Sequence, residues 1–444
     1  MLKYIELQHA GPAGERPFRL NFGPRLNILT GDNGLGKTFA LDVAWWALTR
    51  TWPQQRAWPR KGSGIKPAIR YQVESKTTTA RPFESTFDFN TQTWKLPQGR
   101  KPMPGLVIYA RVDGSFAVWD PARNYWREKD SEREDALDRP SAFTFGVDGL
   151  WNGIEDKGPE KKYVCNGLIR DLVTWQDRQS QNSEFNILVQ VLRVLSASDT
   201  EQLKPGKPTR VWVEDTRDIP TLQMPYGTTP ITMAAAGIKR ILGLSYLLVW
   251  AWSEHAKAAK LRNEDPTTRL VLLVDEVEAH LHPQWQRALL PALLKVADCL
   301  SPECRPGVDV GAGIATQILT STHSPMVMAS VETHFRPDTD KLFTLELDVP
   351  HNGGQRDAKA VELGWTQQGD AVNWLVSESF GLKQARSKEG EEAVEAAEAF
   401  MRDDFAALPQ VLRTKETINM ALRRALPGHD PFWARWVVKT EGGR

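Results

Sequence analysis

The apolar positions of this chain fall into short solid runs and longer helical stripes. "KYIEL" and "FRLNF" alternate and read as short strands, and "RLNILT" reads as a buried one. "TFALDVAWWALTR" predicts a helix with apolar residues on most faces, which implies burial on most faces. From Ala57 to about Asn124 the chain is turn-rich, and "RYQVES", "STFDFN", "GLVIYARV" and "SFAVWD" predict strands of a β-rich subdomain or sheet edge. "NGLIRDLVTWQD" and "EFNILVQVLRVLSA" have helical spacing, "TRVWVED" reads as a strand, and "AGIKRILGLSYLLVWAWSEHAK" reads as a long, mostly buried helix. "RLVLLVDE" is an unbroken apolar strand ending in two acids. "PQWQRALLPALLKVADCL" is a helix that opens on Pro283, a residue suited to a first turn. "QILTSTH" is another short buried strand, and "SKEGEEAVEAAEAFMRDD" belongs to a helical tail. Apolar strands alternating with helices predict an α/β fold with a mainly parallel sheet covered on both faces.

Composition narrows this only a little. The chain has 444 residues and a net charge of +1, so bulk charge does not call for a nucleic-acid or membrane partner. The three cysteines, Cys165, Cys299 and Cys304, cannot build a disulfide framework and share no zinc-like spacing with histidine. The N-terminal stretch has no apolar signal core. A cytoplasmic location is therefore expected. The longest nearly apolar run, Ile241 to Trp252, falls short of the ~20 residues that span a bilayer, so no membrane partner is expected. Of the 17 tryptophans, most are expected to fill cores or interfaces. The charged run from Arg127 to Pro140 reads as a solvated loop or helix.

Three short motifs carry chemistry. "GDNGLGKT" fills the pattern G-x-x-x-x-G-K-[ST] with Gly31, Gly36, Lys37 and Thr38, between a buried strand and a helix. Glycines let the backbone turn tightly so that N–H groups point at phosphate oxygens, and the helix start adds its positive dipole end. Asn33, Gly34, Gly36, Lys37 and Thr38 are expected to hold the nucleotide, with Lys37 on the β- and γ-phosphates and the Thr38 hydroxyl on magnesium. "LVLLVDEVEAHLHP" supplies the second half. Asp275 ends an apolar strand and is expected to hold magnesium, and Glu276 is the expected base for the attacking water. Two acids at a buried strand end are costly to desolvate without a purpose. "ILTSTHSP" places His323 just after a third strand, where a neutral imidazole reaches a γ-phosphate. His280 and His282 do not share a helix face and are expected in a structural loop.

In this order these motifs resemble the ABC-type ATPases of the SMC, RecF and OLD group. The resemblance covers about Met1 to Leu347. It implies a P-loop head of the ABC type with a β-rich insertion and a helical lobe, binding ATP and Mg2+. It implies a homodimer or higher homo-oligomer that closes around two ATP molecules, each between one subunit's cradle and the other's signature motif. "ITMAAAGIKRILGL" stands where that motif is expected, with Ala234, Ala235, Ala236 and Gly237 at its start. Ala235 replaces the usual serine, so slow hydrolysis is expected. The implied layout is an ATPase core from residues 1–56 and 231–347, insertions over 57–230, and a helical C-terminal region over 348–444. The compact layout is similar to standalone ATPase subunits of bacterial anti-phage systems of the Septu and PARIS kind, which implies a sensor or scaffold with a separate nuclease or toxin effector. A RecF-like DNA-repair clamp is the alternative. A kinase fits less well, because Glu276 and His323 prepare water rather than an acceptor hydroxyl.

Two stretches suggest partner surfaces. From Arg50 to Arg81 the chain is strongly basic, with Trp52, Trp58 and Tyr71 interleaved. It reads either as a DNA contact or as an exposed basic loop whose aromatics pack inward. Near the end, Phe432, Trp433 and Trp436 read either as a docked tail or as an anchor for a partner.

Overall fold

The computed structural model describes residues 1–61, 64–74, 82–98, 102–125, 141–155, 163–178, 183–198, 201–300, 313–348 and 356–441. Lys76, Arg81, Cys304 and the charged run 127–140 lie outside the described residues. The chain divides into two compact units, Met1–Gly369 and Asp370–Arg444.

The first unit is built on an eight-stranded sheet. Its strands run in the order Ala358–Leu363, Lys341–Leu347, Leu26–Gly31, Ala315–Ser321, Arg269–Val274, Leu106–Ala110, Phe116–Trp119 and Phe143–Phe145. The five from Lys341–Leu347 to Leu106–Ala110 are mutually parallel, and each of the outer three pairs antiparallel with its inner neighbour. The central strands are solidly apolar because both faces are covered. A second, antiparallel sheet is formed by Leu2–Gln8, Phe18–Asn21, Ala68–Val73, Pro82–Asp88 and Thr93–Trp94.

The helix Lys37–Thr49 touches strands of both sheets, and Trp45 and Trp46 are fully buried in the core they share. That sandwich explains a helix apolar on nearly every face. The 26-residue helix Ala236–Leu261 touches Leu106–Ala110, and Pro283–Cys299 touches Ala315–Ser321. The segment 57–230 is not purely peripheral: Leu106–Ala110, Phe116–Trp119 and Phe143–Phe145 are strands of the main sheet. Nor is the segment 348–444 wholly helical, since Ala358–Leu363 is an edge strand of the main sheet and the helical unit begins at Asp370.

A further sequence expectation also fails. "TRVWVED" is not a strand. Only Thr209 pairs, in a single bridge to Ile219, and Trp212 and Val213 stand exposed. Its alternation finds no sheet edge to pair with, and β-propensity without a partner does not make a strand.

The second unit is helical, with Ala371–Leu375, Lys388–Met401, Lys415–Ala425 and Phe432–Glu441. Its own core gathers Val394, Ala397, Ile418, Leu422, Phe432 and Trp436. The tail aromatics Phe432 and Trp436 are thus docked inside this unit, and Trp433 donates its indole N–H to the Pro427 carbonyl at 2.9 Å.

Candidate ATPase site

Three adjacent parallel strands end on the same edge of the sheet, and each delivers one motif. Leu26–Gly31 leads into the glycine loop, Ala315–Ser321 into His323, and Arg269–Val274 into Asp275 and Glu276. The register pairs Leu29 with Ser321 and Thr320 with Val274, so the three loops leave the sheet side by side. Neighbouring strands lie about 4.8 Å apart, which brings residues far apart in sequence within side-chain reach.

The loop conformation requires its glycines. Gly31 has φ +116° and a Cβ there would stand 2.4 Å from the Leu345 carbonyl oxygen. Gly36 has φ +97° and a Cβ would meet Pro12 at 2.6 Å. Asn33 and Gly34 are exposed at the loop tip. Lys37 is buried, and its ammonium donates to the Gly31 and Asp32 carbonyls at 2.7 and 2.8 Å. Burial pushes it down to about 8, against the pull of Glu276, Asp275, Asp32 and Glu278.

Thr38 and Asp275 meet directly. The Thr38 hydroxyl donates to Asp275 Oδ2 at 2.9 Å. Ser321 donates to Asp275 Oδ1 at 2.7 Å and accepts the Glu276 N–H at 2.8 Å. Asp275 is buried, and each of its carboxylate oxygens accepts from a hydroxyl. Two oxygen donors this close, beside a phosphate-type loop, fit magnesium, which takes one or two protein oxygens and completes its shell with phosphate and water. Among the described residues no group of three or more His, Cys, Asp or Glu is placed to hold a metal ion.

Glu276 sits at φ +45°, an uncommon conformation for a residue with a side chain. Arg240 holds it there: the guanidinium donates to the Asp275, Glu276 and Val112 carbonyls at 2.9, 3.0 and 3.2 Å. His323 is half-buried, and desolvation, helped by the Lys37 charge, lowers its pKa and favours the neutral ring. Ala235 stands at the start of the long helix with no side-chain cap, and Ala235 and Ala236 are exposed. Gly237 presses on the loop after Glu276: a Cβ would lie 2.7 Å from the His280 carbonyl oxygen. His282 caps the next helix, accepting the Gln284 N–H at 3.4 Å, a structural use.

Sequence reasoning missed Ser321, the anchoring role of Arg240, and Asp42. Asp42 lies one helical turn past Thr38, accepts from Tyr109 at 3.0 Å and Arg111 at 3.1 Å, and is pushed up to about 6 by burial. "TSTH" offered a hint of Ser321, since small hydroxyls at a strand end serve acids on the next strand. Nothing in the sequence pairs Arg240 with backbone carbonyls.

Two cations of the basic stretch are paired with carboxylates. Arg60 pairs with Asp357 at 2.6 Å, and Arg70 pairs with Glu6 at 3.0 Å and Glu84 at 2.8 Å. Trp52 stacks on Trp46 and Tyr71 is buried, while Lys61, Lys66 and Trp58 stay exposed.

Residues 153–328 match the family model described as AAA ATPase domain, a span that includes the long helix, both acids and His323. That match supports ATPase activity. Over 398 residues the chain is 22% identical to the Septu protein PtuA of Bacillus thuringiensis, covering 87% of this chain and 86% of that protein. Among solved structures it is similar to the SMC head domain of Thermotoga maritima (15% identity, 82% of this chain and 99% of that one, TM-score 0.37) and to the recombination mediator protein RecF (12%, 78% and 95%, TM-score 0.35). No described helix is long and apolar enough to cross a membrane.

Proposed function

We propose that this chain binds magnesium–ATP in its glycine loop, dimerises around the nucleotide, and acts as a slow ATPase switch for a separate effector, in the cytoplasm and in anti-phage defence. The observation that supports it most is the direct bond from Thr38 to Asp275, residues 237 positions apart in sequence, beside a buried Lys37. Lys37 takes the β- and γ-phosphates, Thr38 and Asp275 hold magnesium, Glu276 receives a proton from water, and His323 contacts the γ-phosphate. Magnesium supplies charge neutralisation of the phosphates when bound. The similarity to PtuA supports the defence setting, and the effector is a nuclease or toxin by the same reasoning. The exposed Ala235 and Ala236 at one helix start, and the exposed loop tip at Asn33 and Gly34, are complementary halves of an intersubunit nucleotide site. Light scattering across an ATP titration tests dimerisation: dimer only with magnesium–ATP supports it, monomer at saturating ATP refutes it. The DNA-clamp reading is weaker, because Arg60 and Arg70 already serve carboxylates.

Two expectations follow from the site. Replacing Ala235 by serine adds a hydroxyl both as helix cap and toward the opposing nucleotide. Turnover should rise about tenfold, measured by phosphate release, and the melting temperature should rise with a cap contribution of about 1 kcal/mol. An unchanged rate removes Ala235 as the cause of slow hydrolysis.

The second concerns pH. Lys37 titrates near 8 in the free protein, and bound phosphates raise its pKa, so binding takes up a proton above that pH. ATP affinity should be flat below about pH 7 and fall up to about tenfold per unit above pH 8. Calorimetry in two buffers of different ionisation heat reads the proton uptake directly.

A further inference from the structure

Glu278 lies two residues past Glu276 and has no part in the proposed phosphate or magnesium contacts. Its carboxylate is turned to the other loop. Thr322 donates its hydroxyl to Oε2 at 2.7 Å, and the His323 backbone N–H donates to Oε1 at 2.5 Å. Thr322 Oγ1 in turn accepts the Ser324 N–H at 3.0 Å, and Ser324 donates to Gln286 at 2.7 Å. These bonds extend a seam between the two loops. Glu276 donates its N–H to Ser321 Oγ and Val277 donates its N–H to the Ser321 carbonyl at 3.2 Å. Residues 276, 277 and 278 are therefore each tied to residues 321–323.

Both Glu278 bonds involve an ionised acceptor, so each is stronger and shorter than a neutral one. Together they fix the peptide plane that enters His323. That plane sets the direction of the His323 Cα–Cβ bond and so where the imidazole can reach. A displacement of about 1 Å at a reacting group costs about a hundredfold in rate. The same loop presents Glu276, and its far end carries His280, against which the helix bearing Ala235 is packed through Gly237. A shift at that helix start is transmitted to both reacting side chains only if the two loops move together.

We infer that Glu278 is a positioning residue: its carboxylate locks His323 to the loop that carries Glu276, so that base and imidazole approach the γ-phosphate as one unit. This rests on the roles proposed above for Glu276 and His323. The Glu278 charge also opposes the desolvation of the His323 ring, a secondary effect of the same contact.

The test is a double-mutant cycle on the full chain, read as ATP turnover and as ATP affinity, with Glu278→Ala, His323→Ala and the pair. Glu278→Ala should lower kcat about tenfold to a hundredfold while the Kd for ATP moves by less than about threefold. Glu278→Gln, which keeps an acceptor oxygen for the His323 N–H, should recover most of that loss. The pair should be no slower than His323→Ala alone, because Glu278 acts only through His323. Multiplicative losses in the pair overturn the coupling, as does a Glu278→Ala enzyme of normal kcat. A His323→Ala enzyme of normal kcat overturns the underlying role of His323 and this inference with it. If Glu278→Ala does not fold, Glu278→Asp, whose shorter arm cannot span both donors, replaces it in the same cycle with the same readings.

Discussion

Replacing Lys37 by alanine is expected to weaken ATP binding about a hundredfold or more. The ammonium is buried and stands against the carbonyls of its own loop, with Glu276, Asp275, Asp32 and Glu278 contributing negative potential around it. It is desolvated before any ligand arrives, so contact with phosphate oxygens involves little further loss of hydration. Each hydrogen bond between charged partners contributes about 1.5–3 kcal/mol, and two to the phosphates, less the carbonyl bonds given up, leave about 3 kcal/mol. Removing the charge also leaves the negative potential of those acids unopposed at the glycine loop. Lys37→Met, which preserves most of the buried volume, should lose as much affinity as Lys37→Ala, showing that charge rather than packing is responsible. A fluorescent nucleotide or calorimetry reads the effect. Affinity within about threefold of the parent would refute the phosphate contact, since that is smaller than a single charged hydrogen bond.

Replacing Glu276 by glutamine is expected to lower turnover by about two to four orders of magnitude while ATP still binds. The structural contacts of Glu276 are made by its backbone: the N–H to Ser321 and the carbonyl from Arg240. Glutamine keeps those and the side-chain volume, so folding and the φ +45° turn should survive, with an unchanged melting temperature as the control. Only the capacity to take a proton is removed. With hydrolysis blocked, the ATP-bound dimer should accumulate and persist through gel filtration, where the parent chain returns to monomer. A Glu276→Gln enzyme of normal rate would move the base elsewhere.

Much of this site was legible in the sequence for a physical reason. Phosphate loops need glycines where a Cβ would strike neighbouring backbone, as at Gly31, and buried strands need solid apolar runs, as in "RLVLLV". Those demands are local and leave local marks. The strand order is not local: nothing in "QILTSTH" says that it lies between the glycine strand and the acid strand, yet that placement creates the site. Nor could periodicity show that "GLVIYA" belongs to the main sheet rather than to an insertion, because its partner is Arg269–Val274. "TRVWVED" shows the converse, a strand-like pattern with no edge to join. Arg240 and Glu278 were opaque for the same reason. Each bonds across to backbone groups that only the folded chain brings near.

One triphosphate must be shared by groups that three separate strands deliver. The structure of Glu276→Gln with magnesium–ATP tests this most directly. It should place the γ-phosphate within hydrogen-bond reach of Lys37 and His323, magnesium against the Thr38 hydroxyl, and the Ala235–Gly237 helix start of a second copy on the opposite side of the nucleotide. ATP bound elsewhere, or held in the glycine loop with His323 and Asp275 out of reach in the closed assembly, would contradict it.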